Sequence, residues 1–260
     1  SAPSRHHGHM ATATEPEPKL RGDSAIDPRD NQRGRQVRAM FAGIAGRYDL
    51  LNRIISGGRD QAWRRKTVKM AALKGGEHVL DVCCGTGDLA LLFAAAEPSP
   101  ASVTASDFTP EMLDLTAAKT ARLNVQIPLC AADALKLPFP DASFDVVSVG
   151  YGVRNFQDLD AGLRELARVL RPGGRLAILE CTPARGLIGR CANFYINRVV
   201  PWVGNRLTRS SHRAYSYLAD SIQVFPDAEA LKARMEAAGF RDVRYRKLNL
   251  GTMAIHVGCR

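Results

Sequence analysis

Residues 79–88 read Val-Leu-Asp-Val-Cys-Cys-Gly-Thr-Gly-Asp, and this stretch decides the fold. Its first half belongs to a short apolar run, 78–84, with β-branched residues, which predicts a strand buried on both faces. Gly85-Thr86-Gly87 breaks the run, and 88–96 (DLALLFAAA) then reads as a helix. Glycines at such a turn let a backbone approach a ligand closely, and the first amides of the helix face it. A phosphate ligand would normally bring a fuller G-x-G-x-x-G or a P-loop lysine, and neither is present here. Acids flank the turn instead, Asp81 before it and Asp88 after it.

The same alternation continues outward. SVTASD (102–107) is a second strand ending in an acid, and Thr109-Pro110-Glu111 opens a helix by capping, by proline in the first turn and by an acid at the positive end. A third strand lies within 125–133 and ends at Asp133-Ala134. FDVVSVG (144–150) is a fourth, a helix spans about 159–170 up to Arg171-Pro172-Gly173-Gly174, and RLAILEC (175–181) is a fifth. Strand and helix in turn from 78 to 181 predict an α/β fold, a parallel sheet with helices on both faces. Upstream, 33–56 and 59–73 read as helices stopped by glycine pairs. Downstream, 227–240 reads as an amphipathic helix closed by Gly239, and 242–250 with 252–260 as a terminal strand pair around Gly251.

Composition bounds the rest. With 260 residues, 45% of them apolar, the chain suits one α/β domain over 31–260, with 183–218 as a basic helical cap. Residues 1–30 lack hydrophobic period and read as a disordered leader. The first ten of them, with His6, His7 and His9 ahead of Met10, read as an appended remnant. Six cysteines form no C-x-x-C pair, so a metal cluster or a disulfide framework is not expected; most sit in apolar runs and read as reduced core residues. A cytoplasmic address follows, and no apolar stretch is long enough to span a bilayer. The net charge of +10 permits polyanions of several kinds without choosing among them.

Acids at successive strand ends suit a ligand with a positive end, such as the sulfonium and α-amino group of S-adenosylmethionine. The run D-V-C-C-G-T-G-D, Ser106-Asp107, Ala132-Asp133-Ala134, LPFPDxSFD (137–145) and RVLRPGGRL (168–176) resembles the class I methyltransferases over about 78–181. That resemblance implies a Rossmann-like, seven-stranded, mostly parallel sheet whose last strand is antiparallel. It also implies that Asp81, Gly85, Thr86 and Gly87 cradle the methionine part, that Asp107 holds the ribose, and that Asp133 and Ala134 meet the adenine.

Three further stretches narrow the family. Tyr48-Asp49-Leu50-Leu51-Asn52 with Ser56 and Trp63, then Gly150-Tyr151-Gly152-Val153-Arg154-Asn155-Phe156, then Leu179-Glu180-Cys181-Thr182, resemble the menaquinone/ubiquinone biosynthesis C-methyltransferases over about 37–260. Leu51 stands where that family usually has Met, and Asp60 where it often has His; no role is assigned at Asp60. The Cys83-Cys84 loop tilts the resemblance toward menaquinone-type members. The implied reaction is C-methylation of a polyprenylated quinol, 2-demethylmenaquinol foremost, with the ubiquinone-pathway benzoquinol as the alternative. The sulfonium is already activated, so the chemistry asks for no metal.

Such a reaction needs an oriented, electron-rich ring carbon and a stabilised oxygen charge. Arg154 is the leading catalytic candidate, because a guanidinium stabilises a phenolate although it is a poor base. Its structural alternative is an ion pair with Asp158 or Asp160. Asn155 would fix the other oxygen or the arginine, Tyr48 and Asp49 would close a lid, and Asp49 would accept a proton through water. Asn52 reads as a structural cap and Trp63 as core.

No acid occurs between Glu180 and Asp220, whereas Arg185, Arg190, Arg198, Arg206, Arg209 and Arg213 do, interleaved with apolar residues. Such a segment suits an anionic membrane surface on the inner face of the cell membrane, or simply a solvated cap over the site. The basic surface also suits an RNA methyltransferase, but no appended RNA-binding module and no Asn/Asp-Pro-Pro-aromatic motif are present, so no nucleic-acid partner is expected. A non-catalytic scaffold would be expected to lose its cofactor acids, and Asp81, Asp107 and Asp133 are all here. A homodimer through the cap is left open.

Overall fold

A computed structural model describes residues 33–184, 194, 195, 198 and 212–260. The leader over 1–30 and most of the basic segment over 183–218 lie outside the described residues.

Seven strands form one sheet: β1 (His78–Val82), β2 (Ser102–Asp107), β3 (Leu129–Ala131), β4 (Phe144–Gly150), β5 (Leu170–Cys181), β6 (Arg241–Leu248) and β7 (Met253–Cys259). Their order is β3-β2-β1-β4-β5-β7-β6. The pairs from β3 to β5 are parallel, and β7 runs antiparallel to both β5 and β6. The expected sheet, with its last strand reversed, is the one observed. Period-two alternation divides its side chains between two cores. Leu80, Val147 and Ile178 face one apolar cluster, while Val79, Val146 and Ala177 face the other.

Helices cover both faces: α1 (Arg33–Ile44), α2 (Tyr48–Ser56), α3 (Asp60–Ala71), α4 (Asp88–Ala94), α5 (Pro110–Leu123), α6 (Leu159–Val169), α7 (His212–Val224) and α8 (Ala228–Ala237). The single helix expected over 33–56 is broken by a 3-10 turn, Ala45–Arg47. Gly46 lies within that turn and Gly43 just before it, and glycine is the weakest helix former after proline. Thr109 makes no side-chain cap to α5; the Asp107 carboxylate accepts from its amide instead, at 2.8 Å. Arg171 to Gly174, expected as a loop before the fifth strand, falls within β5 as a bulge: pairing jumps from Phe144–Leu170 to Val146–Arg175.

The sheet order reverses direction between β1 and β4. In an open α/β sheet, ligands bind at the carboxyl ends of the strands at such a switch point. The carboxyl ends of β1, β2, β4 and β5 carry Asp81, Asp107, Gly150 and Glu180.

Candidate active site

Two cavities meet above this edge. The smaller, about 110 Å³, is lined by Cys83, Gly85, Asp107, Phe108, Asp133, Ala134 and neighbouring residues. The larger, about 770 Å³, is walled mainly by apolar side chains of α1, α2, α3 and α7 and by the 249–253 turn. Phe41, Tyr48 and Tyr151 line both and stand at their junction.

The small cavity is built from the β1 loop. Gly87 has a φ of 80°, and a side chain there would meet Thr116 Cγ2 at 2.6 Å, so only glycine fits. Thr116 in turn donates to the Gly85 carbonyl at 2.8 Å. Both Asp107 oxygens accept backbone amides, from Gly85 at 2.9 Å and Thr109 at 2.8 Å. Burial raises its carboxyl against those bonds. Asp133 accepts from the Leu135 amide, and Ala134 is buried beside it.

Asp81 lies behind the loop, fully buried. Its Oδ1 accepts from Ser148 Oγ at 2.6 Å. Its Oδ2 has no hydrogen bond of ordinary geometry. Burial lifts the carboxyl to about 7, opposed by the Ser148 hydroxyl, the Arg64 charge and the Ala90 amide. A buried carboxylate with one unsatisfied oxygen has room for a cation. Together with a glycine-lined cradle and two acids on the small cavity, that fits a ligand of the S-adenosylmethionine type.

Arg154 reaches the wall of the large cavity from the 3-10 turn Val153–Asn155. Its structural partner is neither of the expected aspartates. Asp158 caps α6 through the Ala161 amide, and Asp160 pairs with Arg234. Arg154 instead pairs through Nη1 with Glu180, which is completely buried, and donates from Nε to Ser221 Oγ at 3.2 Å. Burial opposes the charge, but Glu180 outweighs it and lifts the guanidinium above its usual range. Asn155 donates to the Tyr151 carbonyl at 3.3 Å and accepts from Tyr217 at 2.9 Å.

Asp49 lines neither cavity. It accepts from Thr86 Oγ1 at 2.5 Å and pairs with Lys119 at 2.9 Å. Lys119 also holds Asp88, which accepts from Gln61 at 2.7 Å. The carboxylate expected to take a proton is thus part of a strap tying α2 to the cofactor loop. Thr86 and Gly87 belong to that strap and to the turn, outside both linings. Trp63 packs on the core and also lines the large cavity, and Asn52 lines it too.

Sequence reasoning passed over Tyr151, Glu180 and Lys119. Tyr151 has a φ of 62° and Cys83 one of 54°, both rare for non-glycine residues. Such strain persists only where the surroundings impose it, and both residues line the small cavity. Glu180 had a signal, a charge inside the apolar run RLAILEC, which burial obliges to find a partner. Lys119 had none, because its partners lie 31 and 70 residues away.

The profile of the ubiE/COQ5 methyltransferase family matches residues 29–260. A demethylmenaquinone methyltransferase of Thermus thermophilus is 47% identical over 85% of this chain and 100% of its own length. One of Deinococcus radiodurans is 45% identical over 87% of this chain and 93% of its own. The crystal structure of a SAM dependent methyltransferase from Aquifex aeolicus shares the fold, with a TM-score of 0.55 and 21% identity over 81% of this chain and 96% of that one. With a glycine-lined cavity and an adjoining apolar chamber in place, this chain belongs to the ubiE/COQ5 methyltransferase family.

Proposed function

We propose that this chain transfers a methyl group from S-adenosylmethionine to a ring carbon of a polyprenylated quinol, with 2-demethylmenaquinol as the substrate. The observation that carries the reading is the pairing of cavities: a small one with acids and glycines opens beside an apolar one seven times its size. An aromatic ring with a long hydrocarbon tail suits the second chamber, since apolar walls replace water around it. The names of the two relatives point to the naphthoquinol.

When bound, S-adenosylmethionine supplies an electrophilic methyl on a positively charged sulfur. Gly85 would meet its amino-acid end, with Thr86 and Gly87 shaping the loop and Asp81 setting a negative charge behind it, while Asp107 would hold its ribose and Asp133 with Ala134 its adenine. Tyr48 and Tyr151 divide the cavities and orient the ring carbon toward the small one. Arg154, kept charged by Glu180, stabilises negative charge on a ring oxygen, and Asn155 fixes the arginine turn through Tyr151 and Tyr217. Asp49 acts by position, holding α2 closed over the loop through Thr86 and Lys119.

The basic segment is assigned contact with an anionic membrane surface from which the tail enters. Leu250, exposed at 79% of its full area, lines the large cavity and offers an apolar edge for the tail. No described helix is long and apolar enough to cross a membrane.

The test is methyl transfer from labelled S-adenosylmethionine to reduced demethylmenaquinol and a demethylated ubiquinol precursor side by side, with Arg154→Ala as control. Product from the naphthoquinol that is lost in the variant is expected. Product from the benzoquinol alone would move the chain to the ubiquinone reaction. Methylation of neither ring, with cofactor binding demonstrated, would overturn the quinol reading and direct attention to RNA.

A further inference from the structure

Methylating a quinol carbon requires a hydroxyl proton to leave, and the carboxylates around the site differ in their freedom to take it. Asp49 and Asp88 are held by Lys119, Asp107 by two amides, and Glu180 by Arg154. Asp81 and Glu180 lie behind the walls and line neither cavity. Among the described residues, one carboxylate lines the large cavity: Asp60, the first residue of α3.

Asp60 is 3% exposed, yet it has no strong partner. Its bonds are to the Ser56 hydroxyl at 3.2 Å and the Gln61 amide at 3.4 Å, and Arg64 Nε stands 3.9 Å away. Charge-assisted bonds to a buried carboxylate usually fall near 2.7–2.9 Å, so acceptor capacity is left over on a residue that lines the cavity. It also sits near the junction of the cavities. Arg64, its neighbour, stacks over the Tyr151 ring at 5.0 Å, and the Tyr151 hydroxyl is buried without a partner.

We propose that Asp60 is the proton acceptor of the reaction, a catalytic role that rests on the quinol reading above. The quinol O–H bond breaks and its proton passes to the Asp60 carboxylate. The adjacent ring carbon forms the bond to the methyl group while the carbon–sulfur pair stays on sulfur. The methylated carbon then loses its hydrogen to water, restoring the aromatic ring, and Asp60 returns its proton to the ring oxygen. Arg154 supports the oxygen charge from another part of the cavity wall, a task a guanidinium performs and proton abstraction is not.

The charged and titratable groups around Asp60 are Arg64 on its own helix, Asp88 at the start of α4 through Gln61, and Tyr48 on α2, Tyr151 after β4 and Cys181 at the end of β5, which line the same cavity. The experiment compares wild type, Asp60→Asn and Asp60→Glu, with binding of the demethylated cofactor product followed by calorimetry. Asp60→Asn is expected to bind it as wild type does and to lose roughly 100-fold or more in kcat, the usual reach of general base catalysis. Its rate should rise with pH toward the ionisation of the free quinol, and Asp60→Glu should recover part of the loss. Most of the loss should vanish on a ring-fluorinated quinol that is already ionised at the assay pH. A loss equal on both substrates, or an unchanged pH profile in Asp60→Asn, overturns the assignment. A wild type that methylates no quinol overturns the parent reading and this inference with it.

Discussion

The two cavities are made in different ways. The small one takes its acids and glycine turn from short segments at strand ends, the β1 loop, the β2 acid and Asp133-Ala134, and residues of α1, Tyr48 and 150–157 complete its wall. Each sits at the carboxyl end of a strand, and the parallel pairing of β1 with β2 brings the Gly85 amide to Asp107. The large one draws residues from Met40 to Met253, and its arginine is fixed by partners far off in sequence. Arg154 depends on Glu180 and Ser221, 26 and 67 residues away. Damage to the small cavity should therefore appear as lost ligand affinity, and damage to the large one as lost stability together with lost turnover.

Asp107→Ala should show this separation most strongly. It removes the acceptor of two amide bonds, each worth about 1.5–3 kcal/mol to a charged group. S-Adenosylmethionine affinity, read by calorimetry, should fall by at least about 100-fold. A Kd unchanged within a few-fold would break the contrast at its root.

Arg154→Met is next. Leaving Glu180 buried and unpaired should cost about 3–5 kcal/mol of stability, seen in denaturant unfolding. The double variant Arg154→Met/Glu180→Met should regain most of that stability and none of the turnover. If it regains turnover, Arg154 has only a structural role.

Asp81 sharpens the contrast through pH. Its folded carboxyl titrates at about 7, whereas an unfolded aspartate titrates near about 3.9. Between those values the folded protein holds a proton that the unfolded chain has released, so stability falls as pH rises from about 4 to about 7 and stays low above that. Asp81→Asn should be more stable than wild type at pH 8, on the order of a few kcal/mol, with the gap closing toward pH 4. Cofactor binding to the wild type near pH 7 should release a proton, because a cation beside Asp81 lowers its pKa; titration in buffers of different ionisation enthalpy measures this.

The smallest effect lies away from both cavities. Asp160 and Arg234 join α6 to α8 at 2.9 Å, each about half exposed. Asp160→Asn should change stability by less than about 1 kcal/mol and leave binding and turnover untouched.

The parallel sheet, the terminal strand pair and the strand-end acids were legible in the sequence by itself, and the reversed last strand came with the resemblance to class I methyltransferases. Period-two runs, glycine turns and strand-end acids are local patterns, and the strand–helix alternation leaves few ways to connect them. What only the tertiary structure decided was pairing at a distance. Asp49 was read as a proton acceptor because a carboxylate is a more ordinary acceptor than a guanidinium, but folding brings Lys119 and Thr86 to it and engages both its oxygens. The structural alternative for Arg154 was an ion pair with Asp158 or Asp160, but Glu180 is carried to it by the register of β4 and β5. Asp60 was given no role, and its place on the wall of the large cavity follows from the packing of α3 against the sheet. A charge's partner is set by distance in space, and the sequence encodes that distance only through the fold as a whole.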